Sequence, residues 1–170
     1  YQMGIKDPFS QGDIDQVDNV LWQLKNNPYS RRIMTNIYNF QDLKEMGLEP
    51  CAYSVTFNVT GNKLNAILNQ RSQDVLVANN WNVVQYAVLV HMLAQVSGLV
   101  PGELVHVIAD AHIYDRHEPL VEELIARPTF AAPTFRLNPE IRDFYDFTLD
   151  DFIIEDYQTN PQIKHIPVAI

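Results

Sequence analysis

The chain has 170 residues, 46% hydrophobic, 11% aromatic and only 19% charged, which excludes a disordered polypeptide and supplies one domain with a sizeable core. Lys and Arg total 12 against 21 Asp and Glu, and the formal net charge of −9 excludes a whole-molecule attraction to nucleic acid or an anionic membrane. The single cysteine, Cys51, excludes an internal disulfide framework and a zinc site built on several thiolates, and it is compatible with a reducing cytoplasm.

In chain order, Asp13 is a suitable N-cap for a helix with Ile14, Val17, Leu21 and Leu24 on one face, which Asn27-Pro28 ends. Arg32 to Tyr38 reads as a short strand, and Gln41 to Met46 as a helical turn or two. Cys51 to Val59 and Lys63 to Arg71 are extended runs around Thr60-Gly61-Asn62, a hairpin signal. A loop centred on Gly61 sets Cys51 opposite Arg71, and a one-residue change of register sets it opposite Ser72. Directly opposed residues share a face with Cβ atoms ~5 Å apart, so the hairpin itself predicts a thiol beside a guanidinium.

Trp81 to Val96 reads as a helix apolar on most sides, hence central and buried, with Asn79-Asn80 as its caps and Gly98 as its stop. Its most apolar part, residues 83–96, is too short to span a bilayer and carries Gln85, His91 and Gln95. Glu103 to Ile108 is a strand leading into Asp110-Ala111-His112-Ile113-Tyr114, and Pro119 to Ala126 is a helix stopped by Pro128. Short strands and turns follow. Residues 140–156 hold seven acids against one base, −6 for that segment, which leaves −3 for the rest. An anionic ligand therefore meets a nearly balanced body with one acidic region. The class expected is α+β, a mixed, largely antiparallel sheet packed on a long buried helix, in one domain over residues 1–170.

Five groups of residues could carry chemistry, the first four each with a plainer alternative. Cys51, after Pro50 at a strand start, is either a buried small hydrophobe or a nucleophile whose thiolate Arg71 supports. Arg71-Ser72 is either a surface ion pair or an anion site, as guanidinium offers a bidentate fork. Ser30-Arg31-Arg32 is open in the same way. His112 and Tyr114, two apart on a strand, share a face and could hold one ligand together, or they are half-buried edge residues. Asn82 carries both a donor and an acceptor and suits the amide-like edge of a heterocycle. His91 reads as a satisfied core histidine, and the histidines at 106, 112 and 117 lack zinc-ligand spacing, so no metal is expected.

In order, Ser30-Arg31-Arg32-Ile33, Pro50-Cys51, Gln70-Arg71-Ser72-Gln73-Asp74, Asn82, Asp110-Ala111-His112-Ile113-Tyr114 and the terminal Pro167-Val168-Ala169-Ile170 resemble the thymidylate synthase family. The resemblance implies reductive methylation of dUMP to dTMP, with methylenetetrahydrofolate as cosubstrate and Cys51 adding to carbon 6 of the uracil. It implies that Arg71 and Ser72 bind phosphate, with Gln70 beside them in the nucleotide site, and that Arg31 and Arg32 reach the phosphate of a neighbouring subunit in a homodimer. Asn82 would read the uracil edge, His112 and Tyr114 would hold the deoxyribose hydroxyl, and Asp74 would contact folate. Val168, Ala169 and Ile170 would close over the complex. A cytoplasmic location goes with this reading.

Two departures stand out. Ala52 occupies a position where many members carry histidine. The family's upstream arginine, glutamate and folate-site tryptophans have no counterpart here, since only Trp22 and Trp81 occur. Tyr1-Gln2 resembles an internal point of family sequences, so the expectation is a catalytic domain lacking its N-terminal segment and incomplete for turnover alone. Competing expectations are a pyrimidine nucleotide hydroxymethylase, a non-catalytic dimerising fragment, and a cysteine hydrolase using Cys51, His112 and Asp110.

Overall fold

A computed structural model describes residues 15–168. Helix α1 is Gln16–Asn26. Asp15 caps it, its carboxylate accepting from the backbone N–H groups of Val17 and Asp18 at 2.8 and 3.1 Å. The cap is thus Asp15 rather than Asp13, which lies outside the described residues together with Ile14. Leu24 and Val20 are the buried apolar stripe of α1.

Four strands form the main sheet, in the order β1-β2-β3-β5: β1 (Met34–Asn36), β2 (Ala52–Thr60), β3 (Lys63–Gln70) and β5 (Val100–Ile108). The first three run antiparallel, and β5 pairs parallel to β3. The expected strand over 32–38 is shortened to three residues, because Arg31 and Arg32 form a turn. Between β1 and β2, the helical turn expected over 41–46 is a single 3-10 turn, Leu43–Glu45.

The β2–β3 loop is Gly61-Asn62, with Gly61 at φ 62°, the left-handed conformation that glycine takes without strain. A two-residue loop pairs Thr60 with Lys63, one step away from the register expected for a loop centred on Gly61, and would send Cys51 to Ser72. A bulge between Ala52 and Ser54 then shifts the register back, so Ala52 faces Gln70. The Arg71 N–H donates to the Cys51 carbonyl at 2.9 Å. Cys51 does oppose Arg71, by a route the loop alone does not supply. Cys51 itself lies one residue before β2 rather than inside it.

Helix α2, Asn79–Val96, packs on one face of this sheet. Val90, Leu93 and Ala94 join Ile33, Val55, Phe57, Leu64, Ala66 and Leu68 in a core closed at one side by Val20 and Leu24. Only the C-terminal half of α2 is buried. Trp81 is 79% and Val84 60% exposed, so the expected all-round burial does not extend to the first turns among the described residues. The helix ends as expected at Gly98, φ 70°, whose N–H meets the Gln95 carbonyl at 3.2 Å while that of Leu99 reaches Ala94 at 2.8 Å. These two bonds make a Schellman closure. The asparagines do not cap the start: Ala78 is the cap residue, and Asn79 and Asn80 are already helical. Asp74 organises the preceding turn instead, accepting at Oδ1 from Leu76 and Val77 at 3.0 and 3.1 Å.

Two short ladders complete the fold. Strands β4 (Gln73–Asp74) and β6 (Ala111–His112) pair in parallel just beyond the ends of β3 and β5. Helix α3 (Glu118–Ala126) carries Pro119 in its first turn, and β7 (Thr134–Leu137) pairs antiparallel with β8 (Phe152–Glu155). The strand expected through 110–114 stops at His112, because Tyr114 precedes a 3-10 turn, Asp115–His117. The mixed sheet with a helix packed across it is the α+β architecture expected. No described helix is long and apolar enough to cross a membrane.

Three of the seven acids in the segment 140–156 have structural partners among the described residues. Asp151 accepts from Asn138 Nδ2 at 2.7 Å and from the Thr148 amide and hydroxyl at 2.8 Å each, with Asp151 only 7% exposed. The Asn138 bond, then those from Thr148, holds its carboxyl below the ordinary aspartate value. Glu155 pairs with Arg136 at 2.7 Å and is lowered by that bond. Asp143 accepts from the Tyr145 N–H at 2.9 Å.

Candidate active site

Elements that end at one edge of the sheet bring most of the candidate residues together. β2 begins there, β3 and β5 end there, the β4–β6 ladder continues past them, and α2 begins nearby. In parallel sheets, the carboxyl ends of the strands are where ligand crevices form.

Cys51 is partly buried. Arg71 donates through Nε to the Pro50 carbonyl at 3.0 Å and through Nη2 to the Glu49 carbonyl at 2.8 Å. The guanidinium is thereby pinned to the segment leading into Cys51. Among the described residues, no hydrogen bond joins it to Sγ, so the expected thiol–guanidinium contact is replaced by a backbone one. Two of its five N–H donors are used, and the others are available to an anion. Glu49 also accepts from the Tyr38 hydroxyl at 2.5 Å, and this bond is the main cause raising the Tyr38 phenol above its ordinary value. Ala52, where a histidine would have been polar, is 9% exposed and part of the core.

Gln70, 2% exposed, lies beside them on the core face of the sheet. The two protons of its Nε2 meet three acceptors, the Ser72 carbonyl at 2.8 Å, Gln73 Oε1 and, more distantly, Asn82 Oδ1 at 3.3 Å, so one proton is shared. Its Oε1 meets His106 Nε2 at 2.9 Å. Burial lowers the His106 imidazole below the ordinary histidine value. His106 was passed over in the sequence because the signal for it is not local: it lies 36 residues from Gln70, and parallel pairing of β3 with β5 joins them.

Asp74 faces His112 across the β4–β6 ladder. The His112 and Tyr114 rings meet edge to face at 5.0 Å, so they share a side although no strand joins them. His112 Nδ1 lies 3.7 Å from Asp110. No hydrogen bond links His112 to the Cys51 sulfur among the described residues, and the hydrolase dyad has no support. His117, buried at 2%, was also missed; its Nε2 meets the Pro167 carbonyl at 2.8 Å, and Arg116 donates to the Val168 carbonyl at 2.8 Å. These two neighbours hold the chain end, whose Ala169 and Ile170 lie outside the described residues.

Arg31 and Arg32 are not at this edge. They are exposed at the opposite end of the sheet, where the Ile33 carbonyl accepts from Phe57 at 2.8 Å and Tyr29 reaches the Gly61 carbonyl at 3.3 Å. Six residues of β2 at ~3.3 Å each separate that end from Cys51 by ~20 Å. Neither guanidinium has a side-chain partner among the described residues. His91 is half-buried, its ring edge to face with Phe135 at 5.1 Å, and burial lowers its imidazole. It lines a surface cleft of about 340 Å³ with Gln95 and Arg142, away from Cys51. Among the described residues, no group of three His, Cys, Asp or Glu side chains is placed to hold a metal ion.

The architecture is thus an α+β domain with a thiol, a pinned guanidinium and a chain of amides at the mouth of one sheet. The family model for thymidylate synthase matches residues 2–170. Thymidylate synthase 1 of Bacillus amyloliquefaciens is 43% identical over 170 residues, covering 99% of this chain and 74% of that protein. Thymidylate synthase 1 of Bacillus subtilis strain 168 is 43% identical over 159 residues, 93% of this chain and 57% of that protein. The solved structure of a thermostable thymidylate synthase A from Bacillus subtilis superimposes with a TM-score of 0.85 at 43% identity, over 89% of this chain and 55% of that one. The chain belongs to the thymidylate synthase family. It spans little more than half the length of the two Bacillus subtilis relatives.

Proposed function

We propose that the protein carrying this chain methylates dUMP to dTMP with methylenetetrahydrofolate as cosubstrate. The observation that carries the reading is the meeting of Cys51, Arg71, Gln70 and Asn82 at one sheet edge, in a chain of this family. Cys51 adds as thiolate to carbon 6 of the uracil, which makes carbon 5 nucleophilic toward the folate methylene. Elimination and hydride transfer from the folate then release dTMP, dihydrofolate and the free thiolate. Arg71 offers its unused N–H donors, with the Ser72 hydroxyl, to the phosphate. Asn82 reads the uracil edge, His112 and Tyr114 hold the deoxyribose hydroxyl, and Asp74 contacts folate. Arg116 and His117 anchor the tail, whose terminal residues, Ala169 among them, close over the folate. Cys51→Ser should leave dUMP binding measurable by calorimetry and reduce methylation to background. Turnover retained by that variant would refute the nucleophile.

Arg31 and Arg32 serve a partner's phosphate in a homodimer. Their distance from Cys51 within one chain supports this, as does the sheet face turned away from α2, where Met34, Ile67, Val105 and Val107 are 37–48% exposed. A two-fold axis lying across the strands sets the arginine end of one sheet over the Cys51 end of the other. Mixing a Cys51→Ser chain with an Arg31→Glu/Arg32→Glu chain should restore activity at about a quarter of the sites, one per mixed dimer. No recovery from two separately inactive chains that do exchange would exclude the shared site. The cytoplasm, where thiols stay reduced, is the compartment that suits Cys51.

A further inference from the structure

We infer that His106 is a positioning residue for pyrimidine choice, acting on Asn82 through Gln70; the inference rests on Asn82 reading the pyrimidine. Carbonyl oxygens only accept, and two of them fix the orientation of the amides. Gln73 Nε2 donates to the Asp74 carbonyl at 3.0 Å, so Gln73 turns Oε1 toward Gln70. Gln70 Nε2 must face the Ser72 carbonyl at 2.8 Å, and the same nitrogen faces Gln73 Oε1 and Asn82 Oδ1. A reversed Gln70 would set its oxygen against two acceptors fixed independently of it, the Ser72 carbonyl and Gln73 Oε1.

Two consequences follow at the ends of this chain of amides. Asn82 has its oxygen turned to Gln70, so its Nδ2 points away from Gln70 as a donor. That donor suits a carbonyl at carbon 4 of a pyrimidine, as in uracil, and opposes the amino group that cytosine carries there. At the other end, Gln70 Oε1 can only accept, so His106 Nε2 carries the proton at the 2.9 Å contact. Burial disfavours the charged ring, and in the neutral ring the single proton is the one that faces Gln70. Gln70 is 2% exposed, and His106 is the donor to its oxygen among the described residues. Without that donor the Gln70 oxygen is buried and unpaired, the amide leaves its fixed position, and Asn82 regains freedom to rotate.

The test is a pair of variants in the full-length protein that carries this chain, titrated with dUMP and dCMP. His106→Leu should lower the preference for dUMP over dCMP about tenfold, the size expected from one hydrogen bond to a buried amide. His106→Gln, which can donate to the same oxygen, should restore most of it. A merely structural histidine would weaken both nucleotides alike, and an unchanged ratio in His106→Leu overturns the inference. The Asn82 side-chain amide resonances, which need no ligand, tell the two levels apart. If they move in His106→Leu while the unaltered protein binds neither nucleotide, the pyrimidine reading of Asn82 fails and takes this role with it. If they stay in place, the link through Gln70 is what fails.

Discussion

Two polar clusters sit in this molecule, one around Gln70 and one around Asp151, and they differ in what their groups have left to bond. Asp151 accepts three hydrogen bonds from Asn138 and Thr148, and both of its carboxylate oxygens are engaged inside the β7–β8 connection. The Gln70 cluster ends at groups with capacity to spare: the Asn82 Nδ2 donor, the unused N–H groups of Arg71 and the Ser72 hydroxyl. Both are buried or partly buried at their centres. Burial of polar groups alone therefore does not mark a site; unfilled hydrogen-bonding capacity at its rim does. The net charge of −9 does not by itself oppose the proposed anion site, since Asp143, Asp151 and Glu155 of the acidic segment are bonded to groups of residues 136–148.

The largest expected effect breaks the comparison if it goes astray. Arg71→Ala should remove most dUMP affinity, by about a hundredfold, since a charge-assisted contact to phosphate is worth about 1.5–3 kcal/mol. Calorimetry with a melting curve beside it checks that the fold survives. Leu68→Ala, at a position with no exposure beneath the site, should cost about 2–5 kcal/mol in urea unfolding, a loss of stability rather than of chemistry. Asp151→Asn should lower the melting temperature and leave nucleotide affinity as it was; a selective loss of affinity would erase the distinction between the clusters. Acid sharpens it further. The folded carboxyls of Asp151 and Glu155 lie below their ordinary values, so their stabilisation is present above those values and is lost as pH falls through the folded ones. Asp151→Asn should therefore flatten the acid limb of the stability curve. Smallest is Asp15→Ala, about 1 kcal/mol for a lost helix cap, read as a shift in the urea midpoint.

The bulge that sets Cys51 opposite Arg71 was not legible in the sequence, whereas local patterns carried the hairpin and the long helix with its Gly98 stop. These depend on neighbours in the chain. The parallel pairing of β5 with β3 does not, and with it the contact of His106 with Gln70 stayed hidden. Asn79 and Asn80 suggested caps by composition, yet Asp74, five residues earlier, already bonds the amides before the helix. The exposed start of α2 was illegible for a related reason: apolar residues state what a helix can bury, not what among the described residues covers it. For the site, residue types were legible and the amide orientations were not, because those follow from which carbonyls lie nearby.

The bulge between Ala52 and Ser54 gives the hairpin two frames, one set by the Gly61 turn and one used at the site. Side chains alternate along a strand, so a single residue decides which frame the thiol belongs to. Deleting Tyr53 would remove no group assigned to the chemistry. It would also leave Cys51 opposite Arg71, whereas straightening the bulge with every residue kept would set Ala52 opposite Arg71 and Cys51 opposite Ser72, and the nucleophile would be displaced with every reacting residue still encoded.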